Sequence, residues 1–284
     1  MKKKSSVYYL LIFLILTIIN YSCDKNKNII KENDITFDSI KITAIQHLFD
    51  DTTKPNCNLD LKFIFPSDFK DNKILSSIQS QFIKEFLGEQ YENFSSKEAA
   101  EKFKENYLAD YKKLEEEYLE KKKRNGLEGV SSTWYSYYLS GNTAINFNKG
   151  DILSCIFYTE FYYGGTHGGH LHKYLVFDLK TGLLLKEADI FKEGYKNELN
   201  LIILNKIAEQ NEVKTAEELV ELGFFGAVEL NSNDNFLLNE NGITYLYNEY
   251  EIAPYVMGAT TVFIPYKELK NILKEQSPVT KFID

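Results

Sequence analysis

At 284 residues the chain can hold one large domain or two small ones, and its 44% hydrophobic and 26% charged residues suit a globular fold with its own core. A net charge of −8 and a single arginine, Arg124, set aside nucleic acid and phosphate as ligand classes. Twenty Tyr and twenty Phe against one Trp serve either sheet packing or a recognition surface, because Tyr joins apolar area to a polar tip.

Lys2, Lys3 and Lys4 precede an apolar run from Val7 to Ile19, followed by Asn20-Tyr21-Ser22-Cys23 and an abrupt polar turn. This reads as a signal peptide over 1–22, too short for a spanning helix. Its end is similar to a bacterial lipoprotein signal, with Cys23 as the lipidated residue, although Asn20 stands where that pattern prefers an aliphatic side chain. Cleavage there removes three lysines and moves the charge to −11. Residues 23–34, rich in Lys and Asn, read as a flexible tether on a lipid anchor.

Ile35 to Leu48 alternates as a strand. Cys57, Leu59, Leu61, Phe63 and Phe65 alternate as a second, ending at Pro66. Residues 73–87 form a helix on the stripe Ile74, Ile78, Phe82 and Phe86, stopped by Gly88. Ser95 and Glu98 form a capping box for one long helix carrying Phe103, Tyr107, Tyr111, Leu114 and Tyr118 and ending at Asn125-Gly126. Strands follow over 133–139, 143–147 and 152–163, with turn signals at 148–150 and 180–182 that predict antiparallel neighbours. Leu199 to Ala208 is helical, and Thr215 with Glu218 caps a short helix ending at Gly223. A hairpin spans 236–247, and Thr260 to Ile264 is the last strand. Pro265 opens a final helix carrying Leu269, Ile272 and Leu273. This order predicts an α+β fold of antiparallel sheets with packed helices in two intimately joined subdomains.

The chemistry concentrates in residues 158–174, where His167, His170 and His172 and four glycines connect two strands. His170 and His172 share a strand face, and neutral imidazoles suit zinc or copper, with Glu160 or Asp178 completing a set. The spacing matches no specific metal motif, and a glycine-rich loop with hydrogen-bonded histidines explains it as well. The sequence has no nucleophile elbow, P-loop or dinucleotide fingerprint, and no catalytic residue or cofactor is assigned. Ala253-Pro254-Tyr255 reads as a rigid turn. As a contact surface, the same region offers Tyr250, Tyr255 and Met257.

Two segments carry a family resemblance. Tyr163-Gly164-Gly165-Thr166-His167, then a strand and Asp178-Leu179-Lys180-Thr181-Gly182, resembles the N-terminal domain of PdaC-type peptidoglycan deacetylases, which usually has Ala where Thr166 stands. Tyr247 to Gly258, then Phe263-Ile264-Pro265-Tyr266-Lys267-Glu268-Leu269, resembles the adjoining domain of unknown function in RsiV-type lysozyme receptors. The resemblance implies a PdaC-like domain over 35–182 and an RsiV-like domain over 183–284. It implies neither deacetylase activity nor sigma-factor control. The resulting expectation is an exported, lipid-anchored envelope module that binds a lysozyme-like basic protein or peptidoglycan. The competing reading is a metal-binding or metal-dependent envelope enzyme that uses the three histidines. Cys57 and Cys155 share the parity of their strands' apolar residues and are expected as buried free thiols, the alternative being a disulfide.

Overall fold

Alternation of apolar and polar side chains builds the first two strands, most regularly the second. In β2 (Asn56–Asp68), Cys57, Leu59, Leu61 and Phe63 are buried while Asn58, Asp60 and Lys62 are exposed. Strand β1 (Thr36–His47) lies antiparallel to it, Ile42 opposite Leu61. The structure, a computed structural model, describes residues 30–125 and 131–283. The signal-peptide and Cys23 expectations fall outside these. Asn33 already belongs to the fold. Its side chain bonds Asn148, the Ile152 carbonyl and the Asp151 N–H at 2.9, 2.9 and 2.7 Å.

Helix α1 (Asn72–Phe86) starts where the Asp71 carboxylate accepts the N–H groups of Lys73 and Ile74. Its predicted stripe turns inward, with Phe82 meeting Phe157 at 5.0 Å and Phe86 meeting Phe63 at 5.5 Å between ring centres. Helix α2 (Ser96–Lys112) carries the expected Ser95–Glu98 capping box. The long helix predicted to continue from it divides at Lys113, whose N–H bonds the Asp110 carbonyl three residues back, and resumes as α3 (Leu114–Asn125).

Strand β3 (Tyr137–Lys149) runs unbroken where two strands were expected. The apparent interruption, Gly141, is where neighbouring backbone comes closest: a Cβ there would lie 2.3 Å from the Tyr158 carbonyl oxygen. Then come β4 (Ile152–Tyr162), β5 (Gly169–Asp178) and β6 (Leu183–Leu184), giving a six-stranded sheet in sequence order. Every pairing is antiparallel except β2 with β3, which is parallel. The all-antiparallel expectation fails there because three helices, not a tight turn, carry the chain from β2 to β3.

The remaining chain covers the sheet's other face. It comprises α4 (Glu187–Ile190), α5 (Lys196–Gln210), α6 (Ala216–Glu221), β7 (Phe236–Leu238), β8 (Gly242–Tyr247), β9 (Thr260–Pro265) and α7 (Tyr266–Leu269). Strands β7, β8 and β9 form an antiparallel sheet. Pro265 ends β9 and caps α7. That helix stops at Leu269, so Ile272 and Leu273 lie beyond it, and Leu273 bridges Phe191 instead.

Residue parity on β4 and β5 explains the layering. Leu153, Cys155, Phe157, Leu175 and Phe177 enter the core under α1 and α2. Ile152 and Val176, of opposite parity, enter a second core with Leu199, Ile203, Phe236, Tyr245 and Val262. Tyr174 meets Leu237 and Leu246. A mixed α+β unit from Glu32 to Asp284 results. Cys57 and Cys155 are free and buried. Cys57 lies beside Tyr137 on β3 and Cys155 beside Ile145 on the same strand. Eight residues of strand separate them, about 26 Å at ~3.3 Å per residue, far too far for a bridge.

Candidate functional site

Beyond Val176, the face of the large sheet that meets the small one turns polar. Register sets Tyr158 opposite His172 and Glu160 opposite His170. Tyr138, on β3, reaches the same carboxylate. Tyr138 Oη and Tyr158 Oη both donate to Glu160, at 3.1 and 3.4 Å. Burial, then the Glu160 anion, pushes both phenols above their ordinary range.

The segment after β8 closes the site from the other side. Its Ile252 and Ala253 are buried in the second core, which fixes the loop while its polar residues face outward. His170 Nδ1 donates to Glu249 Oε1 at 2.9 Å, and His170 Nε2 is 3.8 Å from Glu160. One imidazole therefore sits between a carboxylate of the large sheet and a carboxylate of the C-terminal half. Asn248 accepts the His172 N–H at 2.8 Å and donates to the His172 carbonyl at 3.0 Å.

Five of the six expected contact residues form one row. Ring centres of Tyr250 and Tyr255 are 6.0 Å apart, those of Tyr255 and His167 4.5 Å, and those of Tyr255 and His170 6.0 Å. His172 extends the row through Tyr158, at 4.6 and 6.5 Å from His172 and His170. Met257 leaves the row, with its sulfur against Gly223. The short turn Tyr255–Met257 begins after Pro254, as the rigid-turn reading expected. The row rests on the loop 163–168, where Gly164 has φ +82° and a Cβ would lie 2.6 Å from the Trp134 carbonyl oxygen.

Burial and neighbouring His170 lower the His172 pKa, with Glu249 opposing them. His172 Nδ1 is buried without a hydrogen-bond partner among the described residues. No group of three His, Cys, Asp or Glu side chains among those residues is placed to hold a metal ion. Burial pushes the Cys57 thiol up to about 11 and holds the Cys155 thiol well above its ordinary range, so neither is a poised nucleophile. The site offers ring faces, carboxylates and one shared imidazole. Asn248 and Glu249 were missed from sequence because their partners lie more than seventy residues away, and no local spacing signals that.

A family profile described as "Protein of unknown function (DUF3298)" matches residues 188–267, which include Asn248, Glu249, Tyr250 and Tyr255. Peptidoglycan-N-acetylmuramic acid deacetylase PdaC of Bacillus subtilis (strain 168) is 28% identical over 126 residues. The match covers 44% of this chain and only 27% of the deacetylase. A DUF3298 family member from Bacteroides fragilis NCTC 9343 has a crystal structure that superposes with a TM-score of 0.83 at 32% identity, over 89% of this chain and 99% of that one. A DUF3298 family protein from Pseudomonas aeruginosa PAO1 shares the fold with a TM-score of 0.58 at 13% identity, over 86% of this chain and 96% of its own.

Proposed function

The chain belongs to the DUF3298 family, and on that premise we propose that it is a binding module of the bacterial cell envelope. Its ligand in this reading is a basic, cell-wall-directed protein of the lysozyme kind. The row Tyr250–Tyr255–His167, flanked by Glu160 and Glu249, is the observation that carries the reading. Tyr250 is exposed and Tyr255 half-buried, Tyr rings provide contact area at small entropic cost, and carboxylates favour a basic partner of an acidic chain. The segment that resembles lysozyme receptors, Tyr247 to Gly258, is the one that supplies Glu249, Tyr250 and Tyr255.

Calorimetry of the chain from Asp24 with several lysozymes tests this. The expected result is binding that weakens as salt rises and that Tyr255→Ala reduces about tenfold or more, the loss typical of a central aromatic contact. Absence of heat and of complex at low salt with every lysozyme rejects the ligand.

Peptidoglycan is the second reading, favoured by the match to a protein named for acting on it. Co-sedimentation with purified cell walls, abolished by the same substitution, would select it. The envelope location proposed here rests on that match and on the signal-like residues 1–23. Among the described residues no helix is long and apolar enough to cross a membrane, and the anchor proposed here is a lipid on Cys23. Cys23→Ala should move the protein from the membrane to the soluble fraction or block its processing. Unchanged membrane retention with normal processing would reject the lipid anchor.

A further inference from the structure

On the opposite face of the sheet from the histidine row, beyond the end of the core under α1 and α2, lies a cavity of about 240 Å³. Tyr107, Asp110 and Tyr111 of α2 line it together with Leu114, Tyr137 and Tyr163. The rings are set as angled walls. Tyr111 meets Tyr137 at 5.5 Å and 62°, and Tyr137 meets Tyr163 at 5.7 Å and 63°. Rings at such angles box in a space, whereas stacking a flat sugar needs one open platform. Tyr163 is half exposed and forms the entrance, and its own ring is fixed by stacking on Phe161 at 5.2 Å. Tyr107 Oη is buried and has no hydrogen-bond partner among the described residues.

The walls have a definite electrostatic character. Each aromatic ring carries a negative face, and several faces around one space attract a cation that has shed part of its water. Burial holds the phenols of Tyr107, Tyr111, Tyr137 and Tyr163 above their ordinary range, so they remain neutral. Asp110 supplies the formal negative charge at the rim. Its partner there is Lys113 at 2.7 Å, both largely exposed, an arrangement that holds little energy and leaves the carboxylate able to accept a second donor. An inorganic ion would lose too much hydration among apolar walls. An alkylated ammonium group is bulky, weakly hydrated and matched to the volume.

From this geometry we propose that the tyrosine-lined cavity is an aromatic cage for an organic ammonium group. The group is a quaternary headgroup of the choline type, whose methyl groups meet the rings in place of water, whereas the primary ammonium of lysine is compact and strongly hydrated. The site is separate from the histidine row and does not depend on the identity of the ligand bound there.

The test is an NMR titration of the full chain with choline, with its uncharged carbon isostere 3,3-dimethylbutan-1-ol, and with lysine blocked at both ends. Choline should perturb the cage tyrosines and bind about fivefold or more tighter than the isostere, in keeping with the range of cation–ring interactions, and tighter than blocked lysine. Tighter binding of blocked lysine than of choline overturns the quaternary assignment. Tyr163→Phe should keep the affinity within about twofold, and Tyr163→Leu should lose about fivefold or more while keeping apolar volume at the entrance. Tyr163 is half exposed, so either variant should fold, and an unchanged amide spectrum away from the cage checks this. Equal binding of isostere and choline overturns the cage, as does a failure of choline to bind at high millimolar concentration. So does a Tyr163→Leu variant that binds choline as tightly as the wild type.

Discussion

His172 carries a burden that its neighbours do not. Its ring lies on Tyr158, and burial together with His170 makes protonation unfavourable in the fold. In the unfolded chain the same ring takes a proton near the ordinary histidine value. As pH falls through that range the unfolded state binds more protons, so this ring's contribution to stability is present above the ordinary value and is lost below it. His172→Phe keeps a ring on Tyr158 and removes the titration. Urea midpoints followed from about pH 7.5 to about pH 5 should fall less in the variant than in the wild type. The carboxylates of Glu160 and Glu249 and the His170 ring, which face this region, are common to both proteins, so the difference isolates His172. Parallel curves would show that its burial has no energetic effect. Gly164 and Gly165, both at positive φ, give a second residue-level contrast. Only Gly164 lies against backbone. Alanine at either position should cost about 1–2 kcal/mol for the left-handed conformation, and at Gly164 an additional amount for the close approach of the Trp134 carbonyl. Denaturant unfolding in which Gly165→Ala costs more would contradict this reading.

Elements whose signals are local were legible in the sequence. The Ser95 and Thr215 capping boxes, the α1 stripe and the turn before Gly242 all act within a few residues, and the structure has them. What could not be read was the pairing of β2 with β3, because a parallel partner reached through three helices leaves no turn to recognise. That pairing also contains a device that alternation does not reveal. The β2–β3 ladder stops at Lys62 opposite Asn142, and the next groups on β2 are met by a side chain. Thr143 Oγ1 accepts the Ile64 N–H and donates to the Ile64 carbonyl, both at 2.6 Å, and the residue is fully buried. Thr143→Val keeps the shape and removes both bonds. It should destabilise by about 1–3 kcal/mol for each main-chain group left unpaired, whereas Thr143→Ser should cost less. Chemical denaturation of the pair decides, and a valine variant as stable as the serine one would rule the device out.

At the scale of the whole molecule, the two halves are joined by apolar packing at Ile152, Val176 and Tyr174 and, beyond it, by polar contacts. Leu171 shares the parity of Leu175 and Phe177, yet it is exposed, because that end of β5 projects beyond the core under α1 and α2. Strand β6 pairs only with Phe177 and Asp178, which leaves the edge of β5 at His172 and Tyr174 in need of partners. Two asparagines from the C-terminal half take the place of a strand there. Asn248 holds both main-chain groups of His172, and buried Asn235 accepts the Tyr174 N–H at 2.7 Å while donating to the His172 and Leu246 carbonyls. Neither was legible in the sequence, since an asparagine beside a strand reads as a turn residue. The same clamp positions Glu249 against His170, so the shape of the candidate site depends on it. Asn235→Ala should cost about 3 kcal/mol, the sum of several buried groups losing partners, and should speed hydrogen exchange at the Tyr174 amide. Asn248→Ala, at a more exposed position, should cost less and speed exchange mainly at His172, while also freeing Glu249 and weakening the binding proposed for the histidine row. Exchange at Tyr174 that stays as slow in Asn235→Ala as in the wild type would mean that Asn235 does not hold the two sheets together.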